Sequence, residues 1–85
     1  MKTGSIEIRG VSREDIESYF LESGWENISP GMWSFGGGRV EIGDFEEVSL
    51  GSIRLPSVTL VFRLRKSAFD EVLSTFRARF LRAGG

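Results

Sequence analysis

The stretch Val58-Thr59-Leu60-Val61-Phe62-Arg63-Leu64-Arg65 alternates strictly between a fully apolar set and a mixed one. A β-strand turns successive side chains to opposite faces. Val58, Leu60, Phe62 and Leu64 therefore share one side, and Thr59, Val61, Arg63 and Arg65 share the other. The first side needs a cover, while the second carries two arginines and belongs in solvent. A chain built around this strand is expected to be a sheet covered on one face.

The remaining segments fit that frame. Ser5-Ile6-Glu7-Ile8-Arg9 alternates and predicts a short strand with Ile6 and Ile8 inward. A helix is expected over about residues 13–23, with Ser12 as N-cap and Asp15 three residues on. Ile16, Tyr19 and Phe20 lie on one face of it. Gly24 suits a left-handed C-cap, with Trp25 folding back on Phe20. Pro30-Gly31 marks a turn, and the segment from Asn27 reads as part of it. Met32-Trp33-Ser34-Phe35 and Arg39-Val40-Glu41-Ile42 read as strands joined by Gly36-Gly37-Gly38. Val48-Ser49-Leu50 and Ile53-Arg54-Leu55 alternate out of phase, so Gly51-Ser52 is a bulge or a tight turn. Pro56 belongs at a strand edge or start. The last helix is expected from Ser67, as N-cap, to Arg82, with Phe69, Val72, Leu73, Phe76 and Phe80 as its apolar stripe. Asp70 and Glu71 near its start and Arg77, Arg79 and Arg82 near its end would suit the helix dipole.

The predicted order is β-α-β-β-β-β-α. Short connections favour an antiparallel sheet, and both apolar helix stripes are most simply buried on one face. The fold class is α+β, a two-layer sandwich, and residues 1–85 form a single domain with Gly84-Gly85 as a short tail. This is not the ββαβ order of a ubiquitin-like fold.

The chain contains no cysteine and no histidine. Disulfides, thiolate chemistry, cysteine or histidine metal sites and imidazole catalysis are excluded. The chain is expected not to be an enzyme, with no cofactor and no metal. No stretch approaches the roughly 18 apolar residues of a membrane span, and no apolar signal core follows Met1-Lys2-Thr3-Gly4, so the cytoplasm is the expected location. The Gly36-Gly37-Gly38 run lacks the Lys-Ser/Thr of a phosphate loop and leads into a strand. Glu41, Asp44, Glu46 and Glu47 could offer oxygen ligands to a hard cation, but read more simply as an acidic surface loop.

Charge is unevenly placed. Residues 1–50 hold four bases and ten acids, for −6, and residues 51–85 hold seven bases and two acids, for +5, giving −1 together. On the uncovered sheet face the expected set is Glu7, Arg9, Arg39, Glu41, Thr59, Val61, Arg63 and Arg65. Cross-strand pairing of acids and bases is the simple reading. The sharper one is an anion or partner site at Arg39, Arg63 and Arg65. Nucleic acid is not expected, because the face lacks a stacking array of aromatics.

From Ser12 onward the chain resembles a small domain family known as the C-terminal domain of proteins related to MoaD, the small subunit of molybdopterin synthase. The resemblance rests on Ile16-Glu17-Ser18-Tyr19-Phe20-Leu21-Glu22 leading to Gly24-Trp25, on Met32-Trp33-Ser34-Phe35 and Arg39-Val40, and on Leu50-Gly51-Ser52-Ile53-Arg54-Leu55-Pro56-Ser57-Val58-Thr59-Leu60. It implies a TATA-box-binding-protein-like architecture and a link to molybdenum-cofactor or sulfur-carrier biology. In two-domain relatives a ubiquitin-like carrier precedes this domain, and this chain is expected to lack that module. The resemblance supplies no catalytic residues. Three functions follow as expectations. The first is an accessory domain that binds a ubiquitin-like sulfur carrier or its activating enzyme. The second is a carrier whose Gly84-Gly85 end is adenylated, as in ubiquitin-like sulfur carriers. The third is anion or nucleic-acid binding on the open face. A homodimer through an uncovered edge, such as the Met32 or Ile6 strand, is a further expectation.

Overall fold

The computed structural model describes residues 1–80. The elements are β1 (Lys2–Arg9), α1 (Arg13–Glu22), β2 (Glu26–Ser29), β3 (Met32–Phe35), β4 (Gly38–Ile42), β5 (Glu46–Leu50), β6 (Ile53–Leu64) and α2 (Lys66–Phe80). The order contains one strand more than the sequence predicts, because β2 stands where only a turn was expected. All pairings are antiparallel. The sheet runs β1-β6-β4-β3-β2, with β5 also beside β6.

β6 is the spine. Ser57 to Leu64 pair with β1 on one side. On the other side Leu60 to Arg63 pair with β4, and Ile53 to Ser57 pair with β5. Gly51, at φ +65°, turns the chain between β5 and β6. The phase slip is thus a tight hairpin turn, and Ile53-Arg54-Leu55 is continuous with the alternating run after it. Pro56 fits because β1 has ended beside it. Its carbonyl accepts the Gly10 N–H at 2.8 Å on that side, where its missing N–H would also point.

Both helices cover the same sheet face, as expected. Ile6, Ile8, Val40, Ile42, Val58, Leu60, Phe62 and Leu64 are buried beneath Ile16 and Phe20 of α1 and Phe69, Leu73 and Phe76 of α2. Aromatic rings join the layers. Phe76 lies 5.7 Å from Phe20 and 5.4 Å from Phe62, centroid to centroid. Aromatic pairs of this kind add roughly 0.5–1.5 kcal/mol each beyond their buried area.

The ends of α1 follow the sequence closely. Ser12 Oγ accepts the Asp15 N–H at 3.2 Å. At the other end Gly24, at φ +86°, adopts the left-handed conformation that glycine reaches without strain. The Gly24 N–H then donates to the Leu21 carbonyl at 3.2 Å and the Trp25 N–H to Phe20 at 2.9 Å. Trp25 folds back on Phe20 at 5.0 Å.

The start of α2 differs from expectation. The Arg65 carbonyl, not the Ser67 side chain, opens the helix, accepting from the Ala68 and Phe69 N–H groups at 3.0 Å each. Asp70 and Glu71 therefore fall beyond the first turn, which holds no acid. Arg77 and Arg79 do stand in the last described turn. Arg82, Gly84 and Gly85 lie outside the described residues. The Met32 strand is not an edge, since β2 covers it; β1, with Ile6, is one. Among the described residues, no helix is long and apolar enough to cross a membrane.

Candidate functional site

The sheet face away from the helices carries a row that crosses four strands. Thr3 of β1 stands opposite Arg63 of β6. Arg63 stands opposite Arg39 of β4, and Arg39 stands opposite Ser34 of β3. At about 4.8 Å per strand the row Thr3–Arg63–Arg39–Ser34 is roughly 14 Å long. It edges a shallow hollow of about 280 Å³ lined by Met32, Arg39, Glu41, Val61 and Arg63. A second hollow lies towards Met1, Thr3 and Gly37.

Like charges directly opposite one another destabilise a sheet, yet Arg39 and Arg63 are so placed. Among the described residues neither has an ion pair. The pairs that form are Lys2–Asp70 at 3.9 Å, Arg9–Glu7 at 3.6 Å and Arg54–Glu47 at 3.3 Å. The cross-strand charge pairing expected on this face is therefore not what holds it. Glu41 stands between Val61 and Met32. Glu7 faces Thr59, accepts from Ser57 Oγ at 2.8 Å and pairs with Arg9 along its own strand.

Of the three arginines singled out from sequence, the register joins Arg39 and Arg63. Arg65 lies past the end of β6, where its carbonyl starts α2. Its guanidinium packs over Gly37, with Nη2 3.4 Å from where a Cβ on that glycine would stand. It does not join the row, having no strand partner in the sheet. Thr3 and Ser34 were missed by sequence reasoning, because nothing local announces that they flank the arginines.

Two guanidinium groups beside two hydroxyls present donors and no acceptor charge. Guanidinium groups match the geometry of carboxylate and phosphate oxygens. Chemically, such a row could pair with an oxoanion or a carboxylate. The acidic segment behaves differently. Among the described residues no three carboxylates gather into a metal-holding group, and Asp44 and Glu46 border a separate recess with Glu7 and Thr59.

No curated protein matches this chain. A family model described as archaeal MoaD-like protein does match, over residues 4–85, so that Ser34, Arg39 and Arg63 of the row fall inside the matched region and Thr3 lies just before it. By that match, which spans nearly its whole length, the chain belongs to the archaeal MoaD-like family.

Proposed function

We propose that the domain is a non-enzymatic, protein-binding accessory of sulfur-carrier or molybdenum-cofactor chemistry. It engages an acidic surface of a ubiquitin-like sulfur carrier, or of that carrier's activating enzyme, through the Thr3–Arg63–Arg39–Ser34 row. One observation carries this reading. Two arginines oppose each other with no ion-pair partner among the described residues, on the only sheet face that the described helices leave open. The charge repulsion they create is relieved when a partner brings carboxylates. The family supplies the context. A TATA-box-binding-protein-like architecture goes with this reading, since a saddle of strands with helices behind offers its open face to a partner.

The test is calorimetric titration of the domain with a purified ubiquitin-like sulfur carrier and, separately, with its adenylating enzyme. Binding at tens of micromolar is expected, weakened at least tenfold by the Arg39→Glu, Arg63→Glu pair and weakened by added salt. Absence of binding to both proteins at that concentration would overturn the proposal.

The family match favours a second reading, because it runs through Gly84-Gly85. The terminal carboxylate would attack ATP, releasing pyrophosphate and leaving an acyl-adenylate. The β-α opening of this fold, unlike the ββα opening of the carriers, counts against it. Intact mass after incubation with ATP and an adenylating enzyme decides it. An unmodified mass removes this reading and leaves the first in place.

A further inference from the structure

The open face changes character along β6. Alternation places Ile53, Leu55, Ser57, Thr59, Val61 and Arg63 on it. The arginine row stands at one end. About 20 Å along the strand, Ser57 faces Glu46 of β5. Glu46 and Asp44 border the acidic recess there. Further on, the β5–β6 hairpin carries an apolar strip on the same face. Val48 stands opposite Leu55, and Leu50 opposite Ile53. Leu50 is 48% and Ile53 59% exposed. A two-stranded hairpin is marginal in water without cover, yet both described helices lie over the other face of the sheet.

We propose that this face docks on a second copy of the chain, face to face, about a two-fold axis that crosses β6 near Leu60. Charge argues for a copy of the same chain. β4 and β5 flank β6 on one side, opposite β1. An axis running across the strands reverses their direction and keeps that side in place. Arg39 of each copy then meets Glu46 of the other, so the contact forms twice, as an isologous interface requires. None of Arg39, Arg63, Asp44 and Glu46 has an ion pair within the chain among the described residues. Glu41 falls opposite Gly43 of the second copy, which bonds to Thr59 in that row.

The apolar strip fits the same rotation. Val48 and Leu55 pass over the far end of the second copy's arginine row. There Met1, 77% exposed, and Gly37 border a hollow of about 240 Å³. The overlapping faces measure about 33 by 14 Å, below the roughly 800 Å² per partner of a standard interface. That is the size of a weak, exchangeable contact. The net charge of −1 lets two copies approach without strong repulsion. This dimer does not depend on the proposed sulfur-carrier partner. It gives the same arginines a second user, so each would displace the other.

Sedimentation equilibrium of the whole chain tests it. The wild type should associate reversibly at roughly tens to hundreds of micromolar, less so in high salt. Arg39→Glu and Glu46→Arg alter exposed side chains, and each should weaken self-association at least about tenfold. Mixing the two variants should restore it, because both contacts of the mixed dimer then pair opposite charges. Glu46→Arg leaves the row intact, so it should lower self-association without weakening binding to a carrier. Failure of the carrier to bind would leave the dimer standing. The dimer is overturned if the wild type stays monomeric at millimolar concentration. It is also overturned if the mixture associates no better than either variant alone. Association that neither variant changes would overturn it too, and would mark pairing through the β1 edge.

Discussion

β6 has two sides, and they obey different rules. Val58, Leu60, Phe62 and Leu64 are at most 2% exposed under the helices. Thr59 and Arg63, between them in sequence, stand in solvent on the other side. Neighbouring residues only about 3.3 Å apart along the chain are thus selected by unrelated pressures. On the covered side each side chain is fixed by shape and by removal from water. On the open side stability constrains little, so an arrangement that works against the fold, Arg39 opposite Arg63, can persist.

The largest expected effect tests the covered side. Phe62→Ala empties a site bounded by Phe20, Trp25 and Phe76 and should cost about 3–5 kcal/mol. Arg63→Ala, one residue on, should change stability by no more than about 0.5 kcal/mol. Urea denaturation of both variants measures the contrast, and similar losses would dissolve it. Gly38→Ala comes next. A Cβ on Gly38 would stand 2.6 Å from Leu64 Cδ2 and 2.8 Å from the Arg63 carbonyl oxygen. A backbone atom cannot step aside as a side chain can, so this overpacking should cost about 1–3 kcal/mol. A midpoint unchanged from wild type would mean that the β4–β6 contact is looser than described.

The covered side was the legible one. Alternation in β6 and the capping of α1 are local signals, readable within a dozen residues. β2 was not legible because all four of its residues are exposed, leaving no alternation to find. It exists through pairing with β3 and through the Asn27 side chain closing the turn. The start of α2 was misread because Ser67 resembles a cap, whereas the strand runs straight into the helix and Arg65 does that work. The arginine row was half legible. Each arginine could be assigned to the open side by parity, but their opposition, and the flanking Thr3 and Ser34, depend on a register between distant strands.

The open side predicts an effect of opposite sign. Arg63→Glu places an acid opposite Arg39 in place of a base. Cross-strand pairs contribute roughly 0.2–1 kcal/mol, so this variant should be more stable than wild type by a few tenths of a kcal/mol. It should also lose affinity for the acidic partner. Thermal melts beside the binding titration test the pair of outcomes. A variant that both melted lower and still bound would show that the arginines are held in place by something other than function.

The smallest effect returns to the covered layer, where burial reaches even a hydroxyl. Tyr19 packs edge-on against Phe20, Phe76 and Phe80, with centroids 5.3, 5.3 and 5.4 Å away. Burial raises the pKa of its phenol above the ordinary 10.0, against smaller opposing effects from a Ser23 hydrogen bond and the charge of Arg79. The folded chain therefore holds this proton to higher pH than the unfolded chain does. As pH climbs past about 10 the unfolded state ionises first and is favoured. Stability from this group is complete below that pH and is lost as pH rises through the folded value. Tyr19→Phe keeps the ring contacts and removes the titration, so the alkaline fall in melting temperature should become shallower. An unchanged slope would place the phenol in water, and the boundary of the covered layer would then lie inside Tyr19.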